Sequence, residues 1–407
     1  MQNKDVLIVG NKISKIGEIK ESADEIIDGK GFLLMPGLIN THTHASMTLF
    51  RGIAEDMHLM DWLQKKIWPL EAEINGRHCY YGALIACLEM IKNGITCFND
   101  MYFYMDDVAK ACKEVSIRAV LGQGLIDIPV AGNNTIETTK QFIKKWKNDE
   151  LIVPSIAPHA PYTCSKELLQ SCKELSEKEK VLLHIHLAET KGEQEKFEKD
   201  HGMREIEYLG KIGFLGSKVL AAHCCWLDEK EIGLFSKYNI KVSHNPISNM
   251  KLSSGIAPVP ELLKNNITVS LGTDGAASNN NLDMFETMKV TALLHKLNKL
   301  DPTIIKAHKI VDMGTIEGAK SLTLENQIGS IEVGKKADVI LIDLNKIHFS
   351  PLHHSNIISH LVYSSRGESV DTTICNGEIV MRNRKILAVD ENKILRDFHE
   401  LTHKFFF

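Results

Sequence analysis

Between residues 37 and 325 the chain alternates short apolar runs with amphipathic stretches, and this alternation restricts the folds open to it. The runs are Arg118 to Gly122, Ile152 to Ala157, Val181 to Leu187, Val219 to Ala222, Ile240 to Ser243 and Thr268 to Gly272. Stretches of helical spacing separate them, such as Lys166 to Lys178 and Glu229 to Lys237. Strands joined by helical crossovers pair in parallel, because the helix returns the chain to the same end of the sheet. The pattern therefore predicts an α/β parallel sheet, either doubly wound or closed into an eightfold barrel.

The two ends of the chain follow another pattern. Val6 to Val9 and Ile13 to Ile19 are predicted as strands around a Gly10-Asn11-Lys12 turn. A turn-rich link, Gly329 to Lys336, leads into a buried strand, Ala337 to Leu344. Val370 to Val380 is predicted as a hairpin around Asn376-Gly377. Neither end alone has enough residues for a core, so the two together are expected to form one small β-domain.

Polar residues stand where the apolar runs end. Pro36-Gly37-Leu38-Ile39-Asn40-Thr41 leads into His42-Thr43-His44. Side chains alternate along a strand, so His42 and His44 point the same way. Ile152 to Ala157 is followed by His159, and Val181 to Leu187 holds His184 and His186 with Glu189 just beyond. His223, His244 and Asp274 end the next three runs. A buried imidazole or carboxylate without a partner is costly, and a metal or polar substrate would supply the partners. His42, His44, His186 and Asp274 offer three nitrogens and one oxygen, with room for a water on a catalytic cation. His184 shares a strand face with His186, and spacing alone does not choose between them.

Composition excludes several functions. Hydrophobic residues make up 43% and charged residues 25%, with a net charge of -4 and the two signs interspersed. Without a basic patch, nucleic acid is not an expected partner. No apolar run approaches the ~18 residues of a membrane span. The N-terminus lacks a signal-peptide pattern. Nine scattered cysteines, odd in number and without a CxxC pair, point to reduced thiols in a cytoplasm and away from cysteine-held zinc. The H-x-E and P-C-x-x-C motifs of nucleic-acid deaminases are also absent.

The segments PGLINTHTH, HIHLAE, HNPISNMKL and LGTDGAASNNNLDMFETM resemble the amidohydrolase superfamily of metal-dependent (β/α)8 hydrolases. Within it they are similar to the methylthioadenosine/S-adenosylhomocysteine deaminases, including the archaeal 5′-deoxyadenosine deaminases. The resemblance covers almost the whole chain. It implies an α/β fold: a metal-dependent (β/α)8 TIM barrel over 37–325, a small β-sandwich composed of 1–36 and 326–395, and a C-terminal tail over 396–407.

The resemblance also implies roles. His42, His44, His186 and Asp274 would hold one divalent ion, usually zinc and occasionally iron (Zn2+ or Fe2+). The ion would bring the pKa of a bound water towards ~7, and Asp274 would take that water's proton. The family pattern His-x-x-Glu selects His186, paired with Glu189. Glu189 would protonate the adenine ring at N1, and His223 would orient the water. Glu71 would accept hydrogen bonds from the ribose hydroxyls, and His159 would contact the ribosyl group. His244 is read as positional, holding Asp274 or a loop.

The implied reaction is hydrolytic deamination at C6 of 5′-deoxyadenosine, 5′-methylthioadenosine, S-adenosylhomocysteine and adenosine itself. Such a role suits salvage of by-products of S-adenosylmethionine use. The alternative is another ring, as in guanine or cytosine deaminases and triazine hydrolases. A barrel kept only for binding typically loses ligands, yet all four stand here with Glu189 and His223. One departure bears on substrate. Leu121 to Asn133, the loop region that carries arginines in relatives using S-adenosylhomocysteine, holds Gln123 and no Arg. Small 5′ groups are therefore the expected preference. The family further implies a homo-oligomer, such as a tetramer, and the Phe405–Phe407 tail is expected to pack on a neighbour or on its own barrel.

Overall fold

The computed structural model describes residues 4–127 and 134–406. An N-terminal hairpin, β1 (Asp5–Val9) and β2 (Lys12–Gly17), is followed by β3 (Phe32–Pro36). Eight parallel strands then run in chain order around one sheet. They are β4 (Leu38–Thr43), β5 (Ile95–Tyr102), β6 (Arg118–Leu125) and β7 (Ile152–Pro158), then β8 (Leu182–Leu187), β9 (Val219–His223), β10 (Lys241–His244) and β11 (Val269–Leu271). This consecutive order excludes the doubly wound alternative, in which the strand order reverses.

The first and last of the eight meet without a regular ladder. Asp274 N donates to His42 O at 2.9 Å, and Thr41 Oγ1 donates to Leu271 O at 2.9 Å. Asn40 adds two bonds to Thr273, at 2.7 and 3.0 Å. Ile39, Cys97, Val120, Leu182 and Leu220, near the strand starts, pack against Ala319, Leu322, Leu324 and Ile328. That apolar plug seals the N-terminal end of the barrel and leaves polar chemistry to the opposite end.

β5 has no counterpart among the predicted strands. Its sequence, ITCFNDMY, is wholly buried yet contains Thr96, Asn99 and Asp100. These buried polar groups interrupt the apolar run by which buried parallel strands are recognised.

The small β-domain does come from both termini. β3 pairs with β12 (Val339–Asp343), followed across the sheet by β13 (Val370–Cys375), β14 (Glu378–Arg382) and β15 (Lys385–Ile386). The β1–β2 hairpin covers it through Ile13, which packs with Ala337, Val339 and Ile374. Asn376 and Gly377 both have positive φ, 51° and 82°, as the tight turn between β13 and β14 requires. Buried Arg118, at the start of β6, forms a forked pair with Asp338 of this domain at 2.7 and 3.1 Å.

The boundary drawn at residue 395 falls inside one helix, Glu391–Phe406. Phe405 packs its ring against Phe50 and His78 of the same chain; Phe407 lies outside the described residues. Among the described residues no helix is long and apolar enough to cross a membrane, and all nine cysteines are buried free thiols.

Candidate active site

Four side chains meet at the C-terminal end of the barrel. His42 Nε2 lies 3.3 Å and His44 Nε2 3.4 Å from Asp274 Oδ1, and His186 Nε2 lies 3.4 Å from His44 Nε2. His42 thus belongs to two triads of candidate donors, one with His44 and Asp274 and the other with His186 and His223. A tetrahedral set at ~2.0–2.1 Å from one ion separates neighbouring donors by ~3.3–3.4 Å. The buried His42 Nε2 has no hydrogen-bond partner. The donor set, the separations and the orphaned nitrogen fit one divalent cation.

Each ring is held from behind. His44 Nδ1 donates to Met101 O at 2.6 Å, and His186 Nδ1 to His159 O at 2.7 Å. A carbonyl only accepts, so both rings keep their proton on Nδ1 and turn an Nε2 lone pair to the cluster. Burial lowers the pKa of His42 to about 4 and lowers those of His44 and His186, which keeps the rings neutral as ligands must be. Burial acts to raise the pKa of Asp274, but the neighbouring His42 and the other imidazoles hold it well below the usual carboxylate range. Asp274 Oδ2 accepts from Ser248 at 2.6 Å and Ser278 at 2.9 Å, while Oδ1 accepts from Gly275 N at 2.7 Å and faces the histidines. Its backbone φ is 62°, and His223 and Ala188 share that left-handed region at 71° and 50°. Each such residue costs ~1–3 kcal/mol, and all three re-aim the chain where a strand ends at the site.

Glu189 stands on the turn after β8. Its backbone N, like that of Thr190, donates to Glu193 Oε2. Its Oε1 accepts from Ser254 Oγ at 3.0 Å and lies 3.8 Å from His223 Nδ1. Burial pushes Glu189 up to about 7, a range suited to giving and taking a proton near neutrality. His223 donates through Nδ1 to Asn249 Oδ1 at 2.8 Å, so Nε2 is its free nitrogen. Burial disfavours its charge, but Glu189 and Asp274 outweigh that and raise its pKa.

A cavity contains His44, His186, His223, Asp274 and Glu189 in its wall, together with Glu71, Tyr102 and His159. Leu59, Trp62, Leu63, Ile67 and Trp68 form an apolar side, and no Lys or Arg is among the lining residues described. Glu71 ends the short helix Trp68–Glu71 and is buried; burial raises its pKa to about 7, with the Tyr102 hydroxyl beside it acting the other way. His159 is fixed by Thr163 at 2.8 Å. Gln123 donates to Thr138 O at 3.2 Å and does not line the cavity. The rest of that Arg-free segment, 128–133, lies outside the described residues.

One expectation needs correction, and one choice that spacing left open is resolved. His244 does not hold Asp274: its Nε2 lies 3.2 Å from His295 Nε2, and Ser248 and Ser278 hold the aspartate instead. His184 does not reach the donors of the cluster directly, because it lies one inward-facing position deeper than His186; its Nε2 meets His42 Nδ1 at 2.9 Å. Sequence reasoning missed Tyr102 because it ends the unpredicted strand β5. It also missed Ser248, Asn249 and Ser278, although all three lie in segments that carry the family resemblance.

Known proteins resemble this chain in sequence and fold. The chain matches the amidohydrolase family over residues 33–380. It is 48% identical over 402 residues to a 5′-deoxyadenosine deaminase of Methanosarcina barkeri, covering 98% of this chain and 92% of that protein. It is 47% identical over 408 residues to a 5′-deoxyadenosine deaminase of Methanocaldococcus jannaschii, covering 98% and 96%. The crystal structure of an adenosine deaminase from Xanthomonas campestris with bound zinc superposes with a TM-score of 0.94 at 32% identity, covering 100% of this chain and 94% of that one.

Proposed function

Because the chain belongs to the amidohydrolase family, we propose that it hydrolyses the C6 amino group of 5′-modified adenosines. Water supplies the oxygen that stays on C6, and the amino group leaves as ammonia, giving the inosine analogue. A divalent cation, zinc in this reading, would be held by His42, His44, His186 and Asp274 and when bound would acidify a water for attack. The remaining steps belong to side chains. Asp274 accepts the water's proton; two serines hold Oδ2, and Oδ1, which also accepts from Gly275 N, is the oxygen that faces the histidines. Glu189 gives a proton to N1 of the ring, which makes C6 more electrophilic, and carries a proton towards the leaving nitrogen. His223 orients the water through Nε2. Glu71, near Tyr102, accepts from the ribose 2′ and 3′ hydroxyls, and His159 borders the ribosyl group.

The observation that supports this reading is one cavity holding both the His/Asp cluster with Glu189 and a separate buried carboxylate, Glu71. The apolar wall without a cation favours 5′-deoxyadenosine and methylthioadenosine over S-adenosylhomocysteine, whose amino-acid carboxylate would find no guanidinium there. Loss of absorbance at 265 nm, followed across adenosine, its 5′-modified analogues, guanine and cytosine, tests both parts. Turnover of free bases but not nucleosides would overturn the nucleoside assignment. A kcat/KM for S-adenosylhomocysteine ten-fold or more above that for 5′-deoxyadenosine would overturn the preference. Assembly into a homo-oligomer is a separate expectation, open to light scattering.

A further inference from the structure

His184 is wholly buried inside the barrel, and both of its ring nitrogens are engaged. Nε2 lies 2.9 Å from His42 Nδ1, and Nδ1 lies 3.0 Å from Asn99 Nδ2. The same Asn99 amide nitrogen donates to Thr41 O at 2.9 Å, while Asn99 Oδ1 is buried without a partner. His42 therefore differs from the other two histidines of the cluster. His44 and His186 rest on carbonyls, which accept only and fix the proton on Nδ1. His42 rests on a second imidazole, which can donate or accept. Its tautomer is decided one residue further away.

We propose that His184, supported by Asn99, is a positioning residue that sets the orientation and tautomer of His42 and so the grip of the cluster on a divalent cation. The proposal rests on the metal-dependent reading given above. Hydrogen-bond bookkeeping defines two arrangements. With the Asn99 amide nitrogen facing Nδ1, His184 keeps its proton on Nε2 and donates to His42 Nδ1. His42 then carries its proton on Nε2 and offers the cluster no lone pair. The cation-ready arrangement is the reverse: His42 donates from Nδ1 to His184 Nε2, and His184 carries its proton on Nδ1. Each ring holds one proton in both arrangements, so no net charge is gained or lost. Turning the Asn99 amide presents the now orphaned Oδ1 to His184 Nδ1–H, at the expense of its bond to Thr41 O. A phenyl ring at position 184 would fill similar space but could support neither arrangement.

The test uses the full chain loaded with cobalt(II) or zinc(II), alongside His184→Phe and His184→Gln. It reads the visible cobalt spectrum and the rate of cation release into excess chelator, with near-ultraviolet circular dichroism to check folding. Loss of an outer-shell partner typically costs 10–100-fold in metal affinity. His184→Phe is expected to release the cation at least ten-fold faster and to shift the cobalt bands. His184→Gln, whose amide oxygen can accept from His42 Nδ1–H, is expected to recover most of the retention. A folded His184→Phe with unchanged release and spectrum would overturn the proposal, as would equal loss in both variants. If His184→Phe does not fold, Asn99→Ala, which keeps every imidazole, is judged by the same two outcomes. A parent chain that takes up no cation overturns the metal-dependent reading itself, and the parallel parent measurement tells that failure apart.

Discussion

Glu189 Oε1 and His223 Nδ1 lie 3.8 Å apart at the cavity wall, one pushed up towards neutrality by burial and the other raised by the carboxylates around it. In the proposed reaction this pairing places the proton donor beside the residue that would orient the water. Glu189→Gln keeps the shape and removes the transferable proton. Its kcat is expected to fall by about 10²–10⁴-fold with bound cation unchanged, the usual size of general acid–base catalysis. Steady-state kinetics with metal analysis of the same sample checks this, and a fall under ten-fold would remove Glu189 from that role.

The hydroxyls of Ser248 and Ser278 both end on Asp274 Oδ2. A hydrogen bond to a charged group is worth about 1.5–3 kcal/mol. Replacing both serines by alanine removes two donors from a carboxylate whose Oδ1 must face His42 and His44, leaving Gly275 N on that oxygen. The double variant is expected to lose at least ten-fold in kcat, with each single variant intermediate. Equal kcat in parent and double variant would show that the serines do not position the aspartate.

If Glu71 holds the ribose as proposed, it is expected to supply a pH dependence of substrate binding. Burial raises its pKa from the ordinary 4.5 to about 7. Below that value it is protonated and accepts poorly from a diol, so KM for 5′-deoxyadenosine is expected to fall as pH rises through 7. The stability effect has the opposite sense. A raised carboxyl binds its proton more tightly in the native state, so its contribution is complete below pH 4.5 and is lost as pH rises through 7. Glu71→Gln should flatten both profiles. Tyr102→Phe removes the neighbour that lowers the Glu71 pKa and should move the KM inflection to higher pH. A KM profile that persists in Glu71→Gln would assign the titration to another group.

The Arg118–Asp338 fork joins the barrel to the β-domain where both partners are buried. Asp338→Ala leaves an uncompensated guanidinium, a loss of about 3–5 kcal/mol. Arg118→Met with Asp338→Leu removes both charges and is expected to recover much of that loss. Urea unfolding of the three chains measures the difference, and a cost below 1 kcal/mol for Asp338→Ala would mean that water reaches the arginine.

Much of the fold was legible because parallel strands are local signals. An apolar run followed by a helical spacing needs no knowledge of the rest of the chain, and all six such runs overlap observed strands, three of them lying wholly within one. β5 escaped because buried Thr96, Asn99 and Asp100 break its apolar run, and partners such as Ala45 N for Asp100 and His184 for Asn99 come only with the assembled barrel. The tight turn at Asn376-Gly377 was readable from the two residues themselves, whereas the helix Glu391–Phe406 gains its order by lying against Gly76–Lys92 through contacts such as Tyr81 to Asp397.

The amino-acid order alone determined which residues stand at strand ends and which share a face, since those follow from a two-residue repeat. It did not determine depth. His184 and His186 are equivalent in that repeat, yet ~6.6 Å of strand rise separates a ring behind His42 from a ring at the cavity. Glu71 and Glu73 look alike in sequence, and only packing buries the first. Barrel closure decided these matters, because it brings distant strands to one centre at a fixed height, and hydrogen-bond partners are chosen by that height rather than by neighbours in the chain.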